Sequence, residues 1–203
     1  MSSGPLIQYS LFPASEGLFD DDSRFKETLE ILRKADGYIS SYQGLQVQEE
    51  GGKNGYFISV WESVEHHKKF REGNLHKKIF GSLKQTAADQ LVPRQFVPIK
   101  GNPLPALESK NTEVVIITPK PGASAAKVKE IGIRLRDLWD GEGHTTTFSQ
   151  NVDEEGVFLM LVGWDSTSHH LETVKKDPYA SLVNEFAQIG DFDLTHANLK
   201  KHA

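Results

Sequence analysis

Apolar positions along the chain follow a period of two, then a period near 3.6, then a period of two again, and this whole succession occurs twice. Leu6–Phe12 and Val114–Thr118 read as strands, each ending near a proline, Pro13 or Pro119. A helical stripe follows each strand. In the first half Phe25, Leu29 and Leu32 share a face, the acidic Asp20–Asp22 suits a helix N-terminus, and Gly37 is a C-terminal stop. In the second half Val128, Ile131, Leu135 and Leu138 form the stripe, Ser124 is the expected N-cap, and Gly141 ends the helix. A second strand is predicted over Gly44–Gln48 and over His144–Ser149. It leads through a Gly- or acid-rich turn into a third strand that closes on Trp61 or Trp164, giving a hairpin. Leu75, Ile79, Leu83 and Ala87 continue at helical spacing in the first half, with Pro178–Ile189 as the counterpart. Gln95–Ile99 and Phe192–His196 read as closing strands.

The repetition extends to individual residues. Trp61-Glu62-Ser63 with His66-His67 matches Trp164-Asp165-Ser166 with His169-His170 at an offset of 103 residues. Ser63 and Ser166 are the expected caps of the helix that follows. Each half therefore spells β-α-β-β-α-β, the ferredoxin-like split unit. Residues 1–100 form the first repeat, 101–111 a linker rich in proline, and 112–203 the second repeat. A four-stranded sheet with helices on one face leaves its other face bare, and two such sheets in one chain are expected to cover each other as an intrachain α+β barrel. The chain should then exist as a monomer with an internal pseudo-dimer, further association through outer faces remaining open.

Composition narrows the function classes. The chain has no cysteine, which excludes disulfides, thiolate catalysis and zinc–thiolate or iron–sulfur sites. It has no apolar run of spanning length and no signal-like start, so a cytoplasmic protein with no membrane partner is expected. The net charge is −5, with 13 basic and 13 acidic residues up to position 101 and 10 and 15 beyond it, which argues against nucleic acid. The local basic run Lys68, Lys69, Arg71, Lys77, Lys78 and Lys84 reads as a solvated helix face. There is no phosphate-cradling glycine loop, nucleophile elbow or dinucleotide fingerprint, so no cofactor is expected.

The residues that remain are aromatic or imidazole. Trp61 and Trp164 close central strands, where they serve as core or as pocket wall. Neighbouring histidines on a helix point about 100° apart, so neither His pair alone grips one ion, and positions 70 and 71 hold Phe70 and Arg71 where an i, i+4 partner would stand; no metal is expected. A histidine at a pocket mouth suits a general base, which makes His67 and His76 candidates. Tyr42 could present a hydroxyl to a ligand, and Tyr56 a ring. The second half has one tyrosine and Val157 in place of Tyr56, so the first half is the expected active one.

The tryptophan–acid–serine–histidine signature in both halves resembles the dimeric α+β barrel superfamily, and within it the antibiotic-biosynthesis monooxygenase-like domain in tandem form. The resemblance covers essentially the whole chain and specifies a fold more than a reaction. It implies a cofactor-independent monooxygenase or a related cyclase acting on a small aromatic or polyketide-like compound. The alternative within the same fold is a non-catalytic ligand-binding or stress-type barrel. Haem-degrading relatives place a Trp about nine and a His about nineteen positions after the signature Trp. Here those positions hold Phe70 and Phe80, or Thr173 and Val183, which speaks against haem. Trp61, Tyr56, Phe70 and Phe80 are then the expected walls of a pocket for a small hydrophobic or aromatic partner.

Overall fold

The computed structural model describes residues 4–13, 23–77, 79 and 92–202. Phe80, Leu83, Ala87, Asp20–Asp22, Lys78 and Lys84 lie outside the described residues. The chain forms two compact units, one running to Val97 and taking in the last residues from Lys200, the other covering Pro98–Leu199.

The first unit contains β1 (Leu6–Pro13), α1 (Ser23–Leu32), β2 (Tyr38–Gln46), β3 (Asn54–Trp61), α2 (Val64–Glu72) and most of β4 (Val92–Lys100). Strand β1 lies antiparallel between β3 and β4, and β2 pairs with the free side of β3. The second unit contains α3 (Pro103–Leu107), β5 (Asn111–Pro119), α4 (Ala125–Gly141), β6 (Thr146–Asn151), β7 (Phe158–Trp164), α5 (Thr167–Thr173), α6 (Tyr179–Ala187) and β8 (Gly190–His202). Its pairing repeats the first: β5 lies between β7 and β8, and β6 joins β7. The strands close in the order β1-β3-β2-β8-β5-β7-β6-β4, so the fold is two tandem ferredoxin-like repeats in an α+β barrel. Among the described residues no helix is long and apolar enough to cross a membrane.

Local chemistry explains the shared turns. Ser63 and Ser166 both take extended backbone, and their hydroxyls accept from the amides of His66 (3.2 Å) and His169 (3.1 Å). Each serine thereby satisfies an orphan N–H of the first helical turn and fixes the histidine pair just beyond the strand. Gly132 lets α4 lie close on the sheet, because a side chain there would run into the Phe148 ring. That contact helps build the second core, in which Val128, Ile131, Leu135 and Trp139 of α4 pack on Val115, Ile117, Phe148 and Met160. The first core is smaller and joins Leu29 and Leu32 to Leu6, Phe12, Phe57 and Trp61.

Several expectations change in detail. Strand β2 begins at Tyr38 and not at Gly44. Ser124 occupies the N-cap of α4, but its carbonyl, not its hydroxyl, accepts from Lys127 and Val128. On the same helix Trp139 takes the core-facing position that the stripe assigned to Leu138, which is only partly buried. Residues 101–111, expected to be irregular, hold the short helix α3, capped by the Asn102 side chain, which accepts from the Leu104 amide at 3.1 Å.

Candidate functional site

Strand periodicity puts Glu113, Val115 and Ile117 on the same face of β5, the face that packs against the helices. A carboxylate there breaks an otherwise apolar row, and Glu113 is 5% exposed. Burying such a group is costly unless it is bonded. The Trp164 indole N–H donates to Glu113 Oε2 at 2.6 Å. His170, on the capped helix α5, brings Nε2 to 3.7 Å from the same oxygen. His196 stands directly across from Glu113 in the β5–β8 register, and its ring lies 4.8 Å from that of His170. His196 is fully buried and His170 nearly so. Burial pushes the His170 pKa down from 6.5 to about 3, and the neighbouring His196 and His144 push the same way, so the ring is neutral at physiological pH.

Two members of this trio, Glu113 and His170, line a cavity of about 270 Å³ in the second unit. Apart from Glu113 and His170 the walls are apolar, with Trp139, Met160, Phe186 and Phe192 among them. Trp139 stacks on Tyr179 with ring centroids 4.1 Å apart and 13° between planes, and meets Trp164 edge-on at 5.1 Å. An apolar chamber with a few convergent polar groups is the form of a small-molecule site, and this volume lies just under the range for drug-sized ligands. A compact aromatic compound fits it. A four-pyrrole macrocycle does not, so excess hemin should not displace a compact aromatic ligand from this cavity; competitive displacement would contradict the size limit. Trp164 also borders a wider, more polar outer groove of about 680 Å³, with His144, Asp165, His169 and Tyr179.

The first unit holds a pared-down copy of the trio. Leu6 pairs with Trp61 as Asn111 pairs with Trp164, so Gln8 occupies the place of Glu113. Gln95 faces Gln8 as His196 faces Glu113, and His67 answers to His170. His67 Nε2 is 2.7 Å from Gln8 Oε1, and the Trp61 indole donates to Ser59 Oγ at 3.0 Å. Burial drives the His67 pKa from 6.5 to about 4. Gln95 opposes this and the charges of Arg71 and His76 add to it, although His67 Nδ1 has no partner at hydrogen-bond distance.

The other candidates from the sequence lie around His67 or on the first sheet. Trp61 is fully buried, 4.9 Å from the half-buried Phe70, and Phe70 meets the half-buried His76 edge-on at 5.8 Å. Tyr42 and Tyr56 are fully buried. The Tyr42 hydroxyl accepts from Ser40 Oγ at 3.2 Å, and the Tyr56 ring lies 6.2 Å from that of Tyr9. Sequence reasoning missed Glu113, His196 and Trp139. The available signal was an acidic residue in phase with the core positions of a central strand.

No family model matches the chain, and no curated protein does. Solved structures do share its fold along nearly its full length. A candidate monooxygenase from Fusobacterium nucleatum subsp. nucleatum has a TM-score of 0.71 at 11% identity, with 100% of this chain and 95% of that one covered. A candidate monooxygenase from Lactobacillus acidophilus has a TM-score of 0.66 at 12% identity, covering 97% and 94%. An anthrone oxidase-like protein also reaches 0.66, at 13% identity, covering 98% and 92%. At these identities the likeness is one of fold: the chain shares the α+β barrel fold of these proteins.

Proposed function

We propose that the chain is a monooxygenase-type enzyme that oxygenates a small aromatic, polyketide-like compound in the cavity of its second repeat, using dioxygen and no organic redox cofactor. The observation that carries this reading is an apolar chamber lined by the buried Glu113 and His170, with His196 beside them. The apolar walls hold the ring system, and the trio receives the substrate's oxygen-bearing, ionisable end. Loss of a proton there gives an electron-rich anion that dioxygen attacks directly. For a doubly benzylic methylene the balance is R₂CH₂ + O₂ → R₂C=O + H₂O. The carbon gives up four electrons, one oxygen atom enters the product and the other leaves as water, so no further reductant is needed. The names of the structural neighbours, monooxygenase and anthrone oxidase-like, agree with this chemistry.

The test is oxygen uptake with anthrone and related phenols, with ¹⁸O₂ labelling of the product. Turnover with one labelled oxygen atom per product molecule, in the newly formed carbonyl, is expected. Glu113→Gln should lower kcat about 100-fold or more while leaving the circular dichroism spectrum intact. Saturable binding of these compounds without oxygen uptake would overturn the enzymatic reading in favour of a ligand-binding barrel.

A further inference from the structure

We propose that Glu113, His170 and His196 form a binding site for one divalent transition-metal ion. The inference goes beyond the reading above, because it concerns what the trio binds and holds whether or not the chain oxygenates anything.

Each of the three residues offers a ligand atom, and these atoms all lie within 4.8 Å of one another. They come from three elements, β5, α5 and β8, and all are at most 5% exposed. An ion held tetrahedrally at about 2.0–2.2 Å places its ligand atoms roughly 3.3–3.6 Å apart, so the trio needs to close by at most about 1.5 Å. The separation of His170 Nε2 from Glu113 Oε2, 3.7 Å, is too long for a hydrogen bond and leaves space between the two groups. His170 Nδ1 is buried with no hydrogen-bond partner. Among the described residues no protein group competes for the ring at Nδ1, and its Nε2 faces the carboxylate.

The first repeat acts as an internal control. At the same positions it has amides, Gln8 and Gln95, and there the histidine nitrogen is drawn to 2.7 Å from the amide oxygen. Where the first copy closes with a hydrogen bond between neutral groups, the second has a carboxylate and a second imidazole at a wider spacing. Two imidazoles and one carboxylate suit iron(II), cobalt(II) or zinc(II) better than magnesium or calcium. The Trp164 indole N–H bonds the carboxylate oxygen that faces His170 and so orients that group, as outer partners of metal ligands do. Glu113 and His170 also line the cavity, so a small molecule there would reach the ion.

The full-length protein, stripped with a chelator and dialysed, is titrated calorimetrically with zinc(II) and optically with cobalt(II). One ion per chain is expected, with cobalt absorption in the visible range that shows nitrogen and oxygen ligation. His196→Gln should weaken zinc binding by at least about tenfold, and Trp164→Phe by about tenfold through the outer bond. The double variant Gln8→Glu with Gln95→His should raise the stoichiometry to two, a gain that damage to folding does not produce. Absence of stoichiometric binding in the unaltered protein, or binding unchanged by His196→Gln, overturns the proposal. Neither result depends on turnover, so failure of the metal site and failure of the oxygenase reading are separately visible.

Discussion

Acidifying the protein from pH 7 to pH 4 is expected to remove about 3 kcal/mol of stability through His67 alone. Its folded pKa is depressed to about 4, against 6.5 for the free side chain. Between those values the unfolded chain binds a proton that the folded one refuses. The contribution of the neutral ring is therefore complete above pH 6.5 and is lost as pH falls toward 4. Burial is the main reason the ring resists charging, and the like charges of Arg71 and His76 add to it. Urea unfolding at pH 7, 5.5 and 4, compared with His67→Gln, isolates this contribution from general carboxylate protonation. The variant should lose less stability across the interval by about that amount. Parallel curves for the two proteins would show that His67 is charged in the folded state.

Trp139→Ala should destabilise the second unit by about 3–5 kcal/mol. Trp139 is 2% exposed, stacks face to face on Tyr179, packs edge-on against Trp164 and forms a wall of the cavity. Truncation removes the largest side chain on α4 and joins its volume to a chamber that already exists, so there is little prospect of collapse around the loss. Trp139→Phe keeps a ring against Tyr179 and should recover most of the stability. Chemical denaturation of the three proteins checks this. An alanine variant within 1 kcal/mol of the parent would mean that neighbouring side chains refill the space. The same variant should accept bulkier aromatic ligands than the parent does, because the enlarged space borders the ligand chamber directly.

What was legible in the sequence was whatever depends on near neighbours. The strand-to-helix turn at Trp61 and Trp164, the serine caps and the duplication itself all follow from residues within one or two helical turns of each other. The trio was not legible that way. Along the helix His169 and His170 diverge, so helical spacing alone offers no metal partner. The groups that meet His170 come from two strands, Glu113 on β5 and His196 on β8, and only the antiparallel register places them opposite one another. Glu113 also fell one position outside the strand expected over Val114–Thr118, which hid the fact that it shares a face with Val115 and Ile117. The tyrosines drew attention to the first half, yet Tyr42 and Tyr56 are fully enclosed. Counting polar aromatics measures available chemistry and says nothing about access to it.

The hydrogen bond between the Trp164 indole and Glu113 also makes the trio optically visible. Indole emission responds to the charge facing its N–H, so a proton or a cation arriving at Glu113 should change the fluorescence of Trp164 before any product is formed. Trp61, in the equivalent place of the other repeat, donates to the neutral hydroxyl of Ser59 and has no such charge to report. The duplication thus supplies a gauge and its reference in one chain, and the state of the buried site can be followed in solution without a label.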